Sequence, residues 1–176
     1  CWRGGCAAFM AKVSKKNGSS RTTWMFDSFE GLPAPGEKDK GFFTHMRVAN
    51  TEAFKEALSS PIEKAQEAVK KLGVEDNTRI IKGWFRDTLP LHKKEIGKIA
   101  ILRLDGDLYD STKVVLDELY DQLMTGGYVV IDDYVFEGVR KALYDFFHER
   151  GIAPFLQEDV STEMNKLVKT YFRVGD

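Results

Sequence analysis

The chain has 176 residues, 43% of them hydrophobic, enough for one globular domain spanning 1–176 with a sizeable core. Its 26 Lys+Arg against 27 Asp+Glu leave a formal net charge of −1, which gives no electrostatic ground for nucleic acid or an anionic membrane as partner. No apolar run reaches the roughly 18 residues that span a bilayer. The opening CWRGGCAAFMAKV lacks the apolar stretch and cleavage site of a secretory signal. Cys1 and Cys6 are the only cysteines and do not form C-x-x-C, so a reduced, cytoplasmic protein without a zinc site is expected.

In chain order, TTWMFD (22–27) predicts a short strand ending at Asp27, with Trp24 in the core. GLPAPGEKDKG (31–41) is rich in Gly and Pro and predicts a loop. Residues 51–73 carry apolar positions at helical spacing, with Pro61 opening a second helix after Ser59-Ser60. TRIIKGWF (78–85) and GKIAILRLD (97–105) read as strands, the second a continuous apolar run that suits a strand covered on both faces. STKVVLDELYDQLMTGG (111–127) begins on a capping residue and ends in Gly-Gly, as a helix does. YVVIDD (128–133) is a buried strand, EGVRKALYDFFHERG (137–151) an amphipathic helix, and APFLQE and KLVKTYFRV two further strand candidates. Strands alternating with helices, with no repeat and no linker, predict a single α/β domain around a mostly parallel sheet flanked by helices.

Ligands of such sheets bind beyond the carboxyl ends of the strands. Asp27, Asp105 and the Asp132-Asp133 pair each close an apolar run, and Asp107 follows two residues after Asp105. One such Asp is ordinary turn or cap chemistry. LDGDLY and IDDY each place two where a turn needs one. Carboxylates gathered at two strand ends repel unless a cation or proton sits among them. Oxygen-only donors suit a hard ion such as Mg²⁺, which can bind and acidify a substrate hydroxyl. An acid ending the second strand of a nucleotide-binding sheet commonly accepts bonds from ribose hydroxyls, and Asp27 fits that part. His45, His92 and His148 are unclustered and read as surface or core.

Taken together, CWRGG, MFDSFEGLP, KGWFRDTLP, RLDGDLYDST and GGYVVIDDY resemble the macrocin O-methyltransferase family. Its members are class I enzymes of Rossmann-like fold that use S-adenosylmethionine and Mg²⁺ to methylate sugar hydroxyls in natural-product biosynthesis. The resemblance runs from residue 1 to about residue 150. It implies that Trp2, Arg3, Gly4 and Gly5 end the cofactor loop, that Asp27 binds ribose beside Ser28 and Phe29, and that Gly83, Trp84 and Phe85 lie by the adenine. It further implies Asp105, Asp132 and Asp133 as metal ligands, with Asp107 a ligand or the general base and Asp105 the other candidate base. The expected partner is a small hydroxylated molecule carrying a sugar, with its site shaped by the loop from Glu30 to Arg47. Phe42-Phe43 beside it either cover substrate or pack down, and homo-oligomerisation is left open.

In the family an apolar strand ending in an acid and Gly precedes the W-R-G-G block, whereas this sequence opens at Cys1. The first strand is therefore expected to be missing, as in a shortened version of a longer chain. Two rival readings stand beside this one. A haloacid dehalogenase-type phosphatase would use D-x-D at 105–107, but places it in its first strand. A non-catalytic remnant would bind an ion or partner without turnover.

Overall fold

A computed structural model of the chain describes residues 1–41, 58–159 and 169–175. These form two compact units. The first comprises residues 1–33 and 58–88, the second 34–41, 89–159 and 169–175.

In the first unit, helix α1 (Gly5–Lys16) leads to strand β1 (Thr23–Asp27), and helix α2 (Ile62–Leu72) leads to strand β2 (Thr78–Lys82). The strands pair in parallel, with Met25 opposite Ile80 and Asp27 opposite Lys82. Small residues on the helices allow close packing: Ala8, Ala11, Met25, Val69 and Val74 form the buried core. Helix α2 stops where Gly73 takes a left-handed φ of 63°, and Val74 N then donates back to Val69 O at 3.2 Å. Trp24, expected in the core, is only half-buried and stacks on Phe26 two residues along, because Met25 holds the inward side of this strand.

Helix α3 (Phe85–Ile96) follows β2 and was not legible as a helix. Pro90 lies in its interior, where a missing N–H and a steric clash ordinarily break the pattern. Its first turn is nonetheless closed by the Asp87 and Thr88 N–H groups on Trp84 O, both at 3.0 Å.

The second unit contains β3 (Ile99–Leu104), α4 (Tyr109–Leu119), β4 (Leu123–Ile131), α5 (Glu137–Glu149), β5 (Gln157–Asp159) and β6 (Lys169–Arg173). The sheet order is β3-β4-β6-β5, parallel between β3 and β4 and antiparallel at the two tail pairings. The α/β class expected from the sequence is therefore present, and the tail adds antiparallel strands. The core is aromatic: Tyr120, Phe146, Phe147 and Phe172 meet edge to face, at centroid separations of 5.0 Å for Tyr120–Phe146 and 5.3 Å for Phe147–Phe172. Coverage of β3 is less complete than its apolar run suggests. Ile101 is 51% exposed and its register partner Tyr128 41%.

The Gly-Gly after α4 does not end that helix. A 3-10 turn over Tyr120–Gln122 ends it, and β4 begins at Leu123, so Gly126-Gly127 lie inside the strand. Between Ile99↔Leu123 and Ile101↔Tyr128, β3 advances two residues while β4 advances five. The extra chain bulges, with Gly126 at φ 81°. A Cβ on Gly127 would lie 2.9 Å from both Ala100 O and Met124 O, so only glycine fits this approach of backbones.

Residues 51–57 of the helix expected before Pro61, the Phe42-Phe43 pair, His45 and the part of the Glu30 to Arg47 loop beyond Gly41 lie outside the described residues. Among the described residues no helix is long and apolar enough to cross a membrane.

Candidate functional site

Strands β3 and β4 are adjacent and parallel, so their carboxyl ends deliver their acids to one place. Asp132 N donates to Leu104 O at 2.9 Å, extending the ladder one residue past β4 and aligning the two turns. Asp105, Asp132 and Asp133 each present a carboxylate oxygen within 4.8 Å of the others. Asp107 is drawn in through its backbone: its N–H donates to Asp133 Oδ2 at 3.2 Å. It does so at a φ of 60°, a left-handed conformation that Asp tolerates better than most residues but that still carries strain.

The electrostatics follow from this crowding. Burial, then the negative charges of Asp107 and Asp105, push the Asp133 carboxyl up to about 7. Arg103, one residue before the end of β3, answers part of the charge. Its guanidinium donates to Asp105 and, at 2.6 Å, to Asp132 Oδ2. The sequence reading passed over this residue, although a lone cation inside IAILRL was signal enough.

The all-oxygen donor set fits a hard divalent cation. Oxygens that lie within 4.8 Å of one another need only a small side-chain adjustment to close on one Mg²⁺, whose bonds of about 2.0–2.1 Å set opposite ligands about 4.2 Å apart. The resident guanidinium across Asp105 and Asp132 shows that positive charge is accepted there.

The first unit gathers a different set. Both oxygens of Asp27 accept backbone donors: Oδ2 from the nitrogens of Cys1 (2.5 Å) and Trp2 (2.8 Å), Oδ1 from Phe29 N (2.8 Å). The end of β1 is thereby tied to the Trp2-Arg3-Gly4-Gly5 turn, where Trp2 has φ 46° and Gly4 φ 73°. Gly4 is required sterically, because a Cβ there would lie 2.9 Å from Ala65 of α2. The Arg3 guanidinium lies over the Trp2 ring at 4.5 Å. Ser28 Oγ donates to Gly31 O at 2.9 Å and closes the following turn. Gly83 N donates to Asp27 O at 2.9 Å, so the Gly83-Trp84-Phe85 segment leaves β2 beside that acid. Each expected cofactor residue thus belongs to one of these neighbouring turns of the first unit. A carboxylate offers about four lone-pair positions, so Asp27 retains capacity for a further donor.

The macrocin-O-methyltransferase (TylF) family model matches residues 1–165. The chain belongs to this family. Membership replaces the haloacid dehalogenase reading of D-x-D. Among its relatives, the 8-demethyl-8-(2,3-dimethoxy-alpha-L-rhamnosyl)-tetracenomycin-C 4'-O-methyltransferase of Streptomyces olivaceus is 37% identical over 159 residues, covering 89% of this chain and 59% of the relative. Mycinamicin III 3''-O-methyltransferase of Micromonospora griseorubida is 34% identical, covering 89% and 61%. The chain thus spans about three-fifths of the length of these curated relatives. The solved structure of the O-methyltransferase NovP superposes with a TM-score of 0.80 at 30% identity, over 98% of this chain and 68% of that one. The calicheamicin methyltransferase CalS11 gives 0.72 at 21% identity over 98% and 67%, a likeness of fold.

In this family member the remaining histidines take no part in either cluster. His92 Nδ1 lies 3.6 Å from Glu95, and His148 stacks on Tyr144 at 5.4 Å.

Proposed function

We propose that the protein, as one methyltransferase-like domain, transfers a methyl group from S-adenosylmethionine to a hydroxyl of a glycoside or related natural product, assisted by Mg²⁺. The observation that carries this is the meeting of Asp105, Asp132 and Asp133 at the ends of two parallel strands. The acceptors that the relatives are named for, a rhamnosyl tetracenomycin and a mycinamicin, support the substrate class.

Asp105, Asp132 and Asp133 would hold the ion. Asp27, with the Trp2–Gly5, Ser28-Phe29 and Gly83–Phe85 turns, would hold the methyl donor through backbone groups and the remaining capacity of its carboxylate. When bound, the ion supplies a Lewis acid for the acceptor hydroxyl and the sulfonium supplies the methyl group. What the chain itself must do is orient the acceptor and take one proton. Asp107 is the preferred proton acceptor, since Asp105 is engaged by Arg103 and belongs to the triad while Asp107 is fixed beside it by the Asp133 contact. The chain's own part would be proton removal: the acceptor O–H bond would break toward an Asp107 carboxylate oxygen, leaving the acceptor oxygen's electron pair to take the methyl group that the sulfonium would supply. Such a base contributes about 10²–10⁴ in rate. A cavity of about 190 Å³ lined by Asp39, Lys40, Gly41, Val135, Phe136 and Arg140, among others, offers room near α5 for part of the acceptor.

The test is a pair of substitutions read by thermal shift with Mg²⁺ and by methyl transfer. Asp132→Asn, which weakens the Arg103 contact while relieving repulsion among the acids, should change the metal-free melting temperature by no more than a few degrees and abolish the rise that Mg²⁺ gives the parent. Asp107→Asn should keep the Mg²⁺ response and lose turnover by 10²-fold or more. An Asp132→Asn protein that still responds to Mg²⁺ like the parent overturns the metal site, and joint loss in Asp107→Asn makes Asp107 a ligand instead.

A further inference from the structure

The short turn Glu37–Asp39 lies in the segment whose Gly and Pro content predicts a loop, and its Asp39 is only 6% exposed. A buried carboxylate must be matched by donors, and both of its oxygens are. Oδ2 accepts from Gly36 N at 2.9 Å, which closes the turn on itself. Oδ1 accepts from Tyr109 N at 2.8 Å, the first residue of α4. That helix has no side-chain cap of its own, so Asp39 supplies one from 70 residues away. The same oxygen abuts α5. A Cβ on Gly138 would overlap Asp39 Oδ1 and stand 3.2 Å from Tyr109 N. Glycine at 138 is what admits the carboxylate between the two helix starts.

These contacts form a closed circuit with the acidic cluster. Tyr109 follows Asp107 by two residues, and Asp107 N donates to Asp133 Oδ2. Phe136 N donates to Asp133 O at 3.0 Å, and Gly138 is two residues further on. Lys38 anchors the same turn a second time, with Nζ 3.9 Å from the Tyr109 ring centre and 3.3 Å from Asp145 Oδ2, which also accepts from the Tyr109 hydroxyl at 2.9 Å.

We propose that Asp39 is a positioning residue for the metal cluster: its carboxylate, seated on Gly138, clamps the turn bearing Asp105 and Asp107 to the turn bearing Asp132 and Asp133. The inference rests on the reading of those acids as a Mg²⁺ site. It also requires only contacts of the chain itself, so it can be judged apart from that reading. Outer contacts that orient ligands typically change metal affinity by about 10–100-fold when removed.

The experiment uses Asp39→Ala, Asp39→Asn, Gly138→Ala and the double variant Asp39→Ala/Gly138→Ala, each compared with the parent by calorimetric titration with Mg²⁺ alone and by amide hydrogen exchange. Asp39→Ala and Gly138→Ala should each weaken Mg²⁺ uptake about 10-fold, and the double variant should be no weaker than either, since both changes sever one contact. Asp39→Asn, whose amide oxygen can still accept from Tyr109 N, should lose less. Exchange should quicken together at Tyr109, Asp107 and Phe136 while Leu102 and Val129 in the sheet stay protected. Two results overturn the clamp: folded single variants that bind Mg²⁺ as the parent does, or additive losses in the double variant. If the parent takes up no Mg²⁺, the metal reading fails and exchange decides the clamp. Quickening confined to Tyr109 would then refute it, and quickening at Asp107 and Phe136 as well would support it.

Discussion

Asp133 shows how a single carboxyl can work against the fold that holds it. Burial and the charges of Asp107 and Asp105 raise it from the ordinary 3.8 to about 7. Between those values the folded chain keeps a proton that the unfolded chain has released, so stability falls as pH rises through the window of about 4 to 7. Asp133→Asn removes that loss while its side-chain oxygen can still accept from Asp107 N. In chelator, melting temperatures of variant and parent should therefore diverge with rising pH. They should be close near pH 4–5, with the variant higher by several degrees at pH 8, where about 1 kcal/mol corresponds to 2–4 °C for a chain of this size. Parallel curves would show that the carboxyl is ionised throughout. At this scale the acids were legible because each ends an apolar run. Arg103 stood out only as a lone cation inside an apolar run, while its bridge to Asp132, 29 residues away, and the contact of Asp39 with Tyr109, 70 residues away, were not legible.

Among the elements, strong periodicity was readable and exceptions to it were not. Helix α5 matches its amphipathic pattern, burying Val139, Ala142, Leu143, Phe146 and Phe147 at helical spacing. Two elements escaped for opposite reasons. Pro90 hides a helix that tertiary packing keeps, and Gly126-Gly127 imitate a helix stop while forming a bulge in β4. The bulge gives a sharp prediction. Gly127→Ala would press a methyl group against Ala100 O and Met124 O, each 2.9 Å from the Cβ position. The expected loss is about 1–3 kcal/mol, read as a lower urea midpoint with unchanged slope. Gly73→Ala at the end of α2 has open space around its Cβ but a left-handed φ of 63°, so it should cost less, about 1 kcal/mol. A larger loss at Gly73 than at Gly127 would show that the strands do not approach as described.

For the molecule as a whole, the two candidate sites stand on separate cores, the aliphatic cluster around Met25 and the aromatic one around Phe146. Asp27→Asn should accordingly weaken S-adenosylhomocysteine binding by 10-fold or more while leaving uptake of Mg²⁺ alone within about twofold of the parent, both by calorimetry. A Mg²⁺ affinity that falls in step with the cofactor would refute that independence. What the sequence by itself determined was the α/β class, the strand-end acids and the family, because periodicity, end residues and ordered motif blocks are local properties of the chain. Only the tertiary structure decided that Arg103 bridges Asp105 and Asp132, that Asp107 is held by Asp133, and that Asp39 is buried between two helix starts. Each of those depends on strand register and helix placement, which set distances between residues that no spacing along the chain encodes.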